Sequence, residues 1–188
     1  MTQREFIDFL NFIEILKRTP RHCWNTDGER ETVADHSWRL ALMPMLLEHD
    51  FPDVDINKVI RMCIIHDFGE AITGDIPAYL KTDAHEKIEK KAIDTLLDKL
   101  SDDIKKDFKA LFIEMDALET KEAKLYKALD NMEALVAHNE SDISTWMPHE
   151  YQDALTYGAD KVEWNEWLKK LREEIVRDSI KKIEESKQ

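Results

Sequence analysis

The sequence predicts an all-α fold, a compact helical bundle forming a single domain over residues 1–188. Apolar residues recur at helical spacing, and no segment alternates apolar and polar residues for long. Only four Gly and five Pro punctuate the chain, so connections between helices are short. A hydrophobic content of 43%, with five Trp and seven Phe, supplies a core, and a chain of this size buries roughly 70% of the surface its unfolded form exposes. Essentially no sheet is expected.

The elements follow in order. Thr2-Gln3-Arg4-Glu5 is a capping box that opens a helix to about Lys17, with Phe6, Phe9, Leu10, Ile13 and Leu16 on one face. Pro20 and Gly28 bracket a loop from about Thr19 to Glu31. Thr32-Val33-Ala34-Asp35 repeats the capping pattern and starts a second helix, which Pro44 should kink. After Phe51-Pro52-Asp53 a third helix begins near Ile56 and leads into Ile64-Ile65-His66-Asp67-Phe68-Gly69-Glu70, with Gly74 and Pro77 as stops. A fourth helix spans Thr82 to Leu100 and a fifth Ser101 to Met115, with Ile88, Leu96, Phe108 and Phe112 facing the core. The sixth starts near Thr120 and sets Leu125, Leu129, Met132 and Val136 at core spacing around Asp130. Pro148 opens a short helix that Gly158 ends. Asp160-Lys161-Val162-Glu163 caps the last, whose stripe of Trp164, Leu168, Leu171 and Ile175 fits the core or a dimer seam, with the core preferred. A homodimer is therefore left open.

Charge narrows the partners. The net charge of -13 argues against a nucleic-acid partner, whose backbone is held by clustered Lys and Arg. A small anionic substrate stays compatible if a bound cation reverses the local field. Cys23 and Cys63 form no C-x-x-C pair, and neither a signal peptide nor a membrane span is evident, so the expected location is cytoplasmic with no membrane partner.

Chemistry concentrates at His66, Asp67 and Glu70, which share one helix end: Glu70 follows His66 by four residues and Asp67 by three. The preceding Val59–Ile65 run is mostly apolar, and a buried carboxylate there is costly without a cation. A His-Asp dipeptide alone is common and equally fits an ordinary helix terminus. His36, in the first turn of an apolar helix, and Asp130, inside another, complete a His2Asp2 set drawn from three helices. Nitrogen and oxygen donors without thiolate suit one divalent cation among Mn, Co, Fe, Ni, Zn and Mg. Lys127, one turn before Asp130, reads equally as a phosphate contact or a solvated lysine, and His22, His49, His85, His138 and His149 read as ordinary surface.

The pattern H…HD…D, carried by His36, His66-Asp67 and Asp130, resembles the HD superfamily of metal-dependent phosphohydrolases. Leu16-Lys17-Arg18-Thr19-Pro20-Arg21, Val33-Ala34-Asp35-His36-Ser37, His66-Asp67-x-x-Glu70 and Thr73-Gly74-Asp75-Ile76-Pro77 are similar, in order and spacing, to its 5'-deoxynucleotidase branch. The resemblance covers about residues 5–140, with the helices from about 149 to 188 assigned to the same domain. It implies an HD-type bundle that hydrolyses a (deoxy)nucleoside 5'-monophosphate to nucleoside and phosphate with one divalent cation. In that picture Glu70 handles the nucleophilic water, Arg18 holds the phosphate, and Asp75, Ile76 and Pro77 border the substrate near its sugar. One departure is Thr19, where bacterial members carry a tryptophan that orients phosphate; Trp24 is a candidate substitute. The rival expectations are an HD hydrolase of nucleoside triphosphates or cyclic phosphodiesters, and a non-catalytic metal- or nucleotide-binding module.

Overall fold

The computed structural model describes residues 1–187; Gln188, the last residue of the expected domain, lies outside the described residues. The capping box at Thr2 and Glu5 forms and opens α1 (Gln3–Ile13), which tightens into a 3-10 turn over Glu14–Lys17. The expected apolar face of α1 is only partly covered: Leu16 is buried, whereas Phe6 and Leu10 face outward.

The stretch expected as a loop is a hairpin of β1 (Pro20–Trp24) and β2 (Arg30–Thr32), antiparallel and irregular in register between Pro20 and Trp24. This corrects the expected loop; the fold is all-α apart from this two-stranded hairpin. The hairpin escapes periodicity because its strands are short and carry charged side chains inward: Arg21 and Glu31 are nearly enclosed.

A second capping box, Thr32 with Asp35, starts α2 (Val33–Leu46), which passes through Pro44 and ends two residues later. Next come α3 (Ile56–Ile65), α4 (Glu70–Thr73), α5 (Asp83–Leu97) and α6 (Asp102–Ala117). They are followed by α7 (Lys121–Glu140), α8 (Glu150–Thr156) and α9 (Glu166–Glu185). Two expectations are corrected here. Ile88 is 55% exposed rather than in the core. The last helix starts later than Asp160, because Asn165 is its N-cap and accepts from the Trp167 and Leu168 amides; Asp160–Val162 is a separate 3-10 turn.

The packing centre is α7, which touches α2, α3, α6, α9 and β1. Ala128, Leu129, Asn131 and Ala137 are enclosed on different sides of it, and Met132 beside the first two. The main core joins them to Leu40, Val59, Met62 and Leu168; a second cluster around Val33, Leu96 and Leu97 meets it through Phe68, Phe108 and Phe112. The α9 stripe expected as core or dimer seam packs inward, with Leu168 and Ile175 buried and Trp164 and Leu171 against them.

His66 is the C-cap of α3, and the chain turns through Asp67–Gly69 into α4, so His66 and Glu70 lie on two helices rather than one. Gly69 is where α5 comes closest. A Cβ there would stand 3.1 Å from both Glu89 Cγ and Ile93 Cγ1, tighter than side chains ordinarily pack.

Candidate active site

Three elements bring His36, His66, Asp67 and Asp130 together. The Thr32 box fixes the first turn of α2, from which His36 points into the interior, 1% exposed. The end of α3 supplies His66 and the turn after it Asp67. The buried helix α7 supplies Asp130. His36 Nε2 stands 3.1 Å from His66 Nε2 and 3.2 Å from Asp130 Oδ1. His66 Nε2 is 3.0 Å from Asp67 Oδ2 and 3.5 Å from Asp130 Oδ1.

The remaining ring nitrogens decide what these atoms can hold. His66 Nδ1 donates to the Cys63 carbonyl at 2.8 Å, and His36 Nδ1 donates to the carboxylate of Glu133. With both protons assigned to Nδ1, both Nε2 lone pairs face one another beside two carboxylates, an arrangement that only positive charge between them stabilises. The donor set therefore fits a divalent cation.

Glu133 was not anticipated. It is wholly buried, hydrogen-bonded to His36 and to Arg39 Nε at 2.6 Å, with Arg21 Nη1 at 3.7 Å. Burial opposes its ionisation, but the His36 hydrogen bond and the two guanidiniums outweigh burial and hold it below the usual carboxylate range. A carboxylate behind a ligand histidine fixes the ring's tautomer and direction. Its signal was its place three residues after Asp130 on the same helix face.

Asp130 is held ionised in the same way: burial is outweighed by Lys127, whose Nζ donates to Oδ2 at 2.7 Å, and by the two histidines. For His66, burial is outweighed by Asp67 and Asp130, which raise the imidazole to about 10. The raised imidazole registers the negative charge of the two carboxylates beside the Nε2 atoms.

These groups open into a cavity of about 760 Å³. Glu70, Asp75, Ile76 and Pro77 line it, as do all four of His36, His66, Asp67 and Asp130. Glu70 Oε2 is buried without a hydrogen-bond partner. Burial, then the nearby Asp67 and Asp75 carboxylates, push Glu70 up to about 9.

Arg18 is not brought there. Its side chain is 68% exposed and turns back along the first helical segment to Glu14 at 2.9 Å. Arg21 lines the cavity instead, with Nη1 buried and, among the described residues, without a hydrogen bond, though 3.6 Å from Glu31 and 3.7 Å from Glu133. The hairpin explains the exchange, since β1 carries Arg21 away from the first helical segment and against Glu31 of β2, where its side chain is nearly enclosed. Thr19 is buried against the Ile15 carbonyl, and Trp24 stacks under Arg30, 4.5 Å from the guanidinium, outside the cavity lining. Of the histidines expected at the surface, His22, His138 and His149 line the cavity.

Comparison with known proteins agrees with the geometry. The HD domain family model matches residues 13–172. The chain is 32% identical to the 5'-deoxynucleotidase HDDC2 of Homo sapiens over 155 residues, 80% of this chain and 74% of that protein. It is 34% identical to the 5'-deoxynucleotidase HDDC2 of Xenopus laevis over 84% of this chain and 80% of that one. The crystal structure of a predicted metal-dependent phosphohydrolase from Magnetospirillum magnetotacticum MS-1 superposes with a TM-score of 0.83 at 30% identity, covering 95% of this chain and 93% of that chain.

Proposed function

The chain belongs to the HD domain family, and from that membership we propose that it is a metal-dependent 5'-deoxynucleotidase, hydrolysing deoxynucleoside 5'-monophosphates to nucleoside and phosphate. One observation carries the reading: the His2Asp2 donor set, a buried carboxyl oxygen of Glu70 without a hydrogen bond and the buried guanidinium of Arg21 share one cavity. Its volume of about 760 Å³ suits a mononucleotide. The relatives named as 5'-deoxynucleotidases support the same substrate class.

His36, His66, Asp67 and Asp130 would hold the cation, and two imidazoles among four donors favour a first-row transition ion over Mg. When bound, the ion supplies Lewis-acid polarisation of the phosphoryl group and acidifies water. Arg21 takes the role expected of Arg18: its planar fork of donors matches a phosphate and offsets charge developing in the transition state. Glu70 would take the proton of the attacking water once the cation's charge beside it restores its carboxylate, and Asp75 accepts a hydrogen bond from a sugar hydroxyl. Glu133 keeps His36 in the tautomer that leaves Nε2 free.

Phosphate release from a panel of ribo- and deoxyribonucleoside 5'-monophosphates with Mn, Co or Mg, with metal analysis on the same sample, tests the reading. His66→Ala and Asp67→Ala are expected to lose the ion held by this donor set and turnover together. Glu70→Ala is expected to keep its metal and lose turnover by about 100-fold or more. Absence of turnover on every monophosphate with every metal would overturn the assignment.

A further inference from the structure

We propose that His22, His138 and Glu150 form a second divalent-cation site in the wall of the same cavity, a site the nucleotidase reading neither needs nor supplies. The three residues come from separate segments: β1, the last turn of α7 and the first residue of α8. His22 Nε2 and His138 Nε2 stand 3.0 Å apart, and Glu150 Oε1 lies 3.4 Å from the first and 3.6 Å from the second. Donors bound tetrahedrally at about 2.0–2.1 Å are separated by about 3.3–3.4 Å. The triangle has edges close to that separation, and they match the 3.0–3.5 Å contacts of His66 with its partners in the first set.

Charge gives an independent reason. The Glu150 side chain is nearly enclosed, and among the described residues no lysine or arginine lies within ion-pair distance of it. Its other oxygen accepts from the Met147 amide at 2.6 Å, which pins the carboxylate so that Oε1 faces the two rings. Burial lowers the affinity of both rings for protons, His138 to about 4, so at neutral pH they offer lone pairs rather than charge. A buried carboxylate facing two neutral imidazoles lacks a positive partner, and a cation at the centre of the triangle supplies one.

Imidazole nitrogen in two of three positions selects a borderline ion such as Zn(II) or Co(II) over Mg. Cys23 adds a softer donor, its sulfur within 4.8 Å of ligand atoms on His22 and His138. The bound ion would tie the hairpin to α7 and α8, three segments that shape one side of the cavity.

The test is metal stoichiometry on the full-length chain, stripped with chelator, reloaded with Zn(II) or Co(II), freed of excess ion by gel filtration and measured as metal per chain. Two equivalents are expected in the wild type, and one in each of His22→Asn, Glu150→Gln and His66→Ala. His22 is half-buried on the hairpin, and the side-chain carbonyl left by Glu150→Gln still accepts from the Met147 amide, so two variants probe the site without emptying the core. One equivalent in the wild type, kept by His22→Asn and Glu150→Gln and lost by His66→Ala, would overturn this proposal: the triad would be a hydrogen-bonded cluster only. One equivalent lost by His22→Asn and kept by His66→Ala would support it while overturning the ligand assignment of the first set. The Co(II) visible spectrum supplies a second readout, with a band expected in His66→Ala and absent from the doubly substituted His66→Ala, His22→Asn chain.

Discussion

Arg21 and Arg18 lie three residues apart in the sequence and differ in what surrounds them. Arg21 is nearly enclosed, lines the cavity and stands 3.6–3.7 Å from Glu31 and Glu133, whereas Arg18 is solvated and paired with Glu14. A charged hydrogen bond to phosphate contributes about 1.5–3 kcal/mol. Arg21→Ala is accordingly expected to raise KM for a monophosphate by about 10-fold or more, with Arg18→Ala within about 2-fold of wild type, by steady-state kinetics. Glu133 acts at one remove. Glu133→Gln keeps the shape but loses the charge behind His36, and metal affinity should fall about 10- to 100-fold in a competition titration. Cys23 and Cys63 are both inaccessible, and burial pushes the Cys23 thiol up to about 12. Both are expected to resist alkylation at pH 8 in the native chain and to react once urea unfolds it.

Elements explain which parts of this arrangement could be read from sequence. Helix starts at Thr2 and Thr32 were legible because capping boxes are local, and the helix bearing Asp130 because its apolar spacing is dense. The His2Asp2 residues were legible because unlike residue types interrupted apolar helices. The hairpin was not, since five- and three-residue strands with Arg and Glu inside carry no apolar alternation, and with it went the inward turn of Arg21. Ile88 satisfied a helical period yet lies outside the packed face, a choice made by neighbouring helices that sequence does not display. At the junction before α9, Gly158 has φ +68, and a Cβ would meet Asn131 Cβ at 2.8 Å. Gly28 also has positive φ, +87, but open space around it. Gly28→Ala should cost about 1 kcal/mol from backbone strain alone and Gly158→Ala clearly more, read from urea midpoints at constant m-value.

At the scale of the whole molecule the site is a meeting of distant segments, and metal binding is therefore linked to folding. A ligand at about 1,000 times its Kd stabilises the native state by about 4 kcal/mol. For a chain of this size each kcal/mol moves Tm by about 2–4 °C. Chelation is expected to lower Tm by about 10 °C, measured by calorimetry, and His66→Ala to remove the share of that difference contributed by the ion between His36, His66, Asp67 and Asp130.

The contact between His36 and Glu133 spans 97 positions. At a synthesis rate of about 5–20 residues per second, His36, Arg21 and Arg39 leave the ribosome roughly 5–20 s before the carboxylate that neutralises them. During that interval Arg21 and Arg39 have Glu31 but not Glu133 as a partner, in a region whose enclosing wall, α7, is still incomplete. Interior closure is thus a late event in biosynthesis, and a chain interrupted before Glu133 would leave His36 without the carboxylate that orients it.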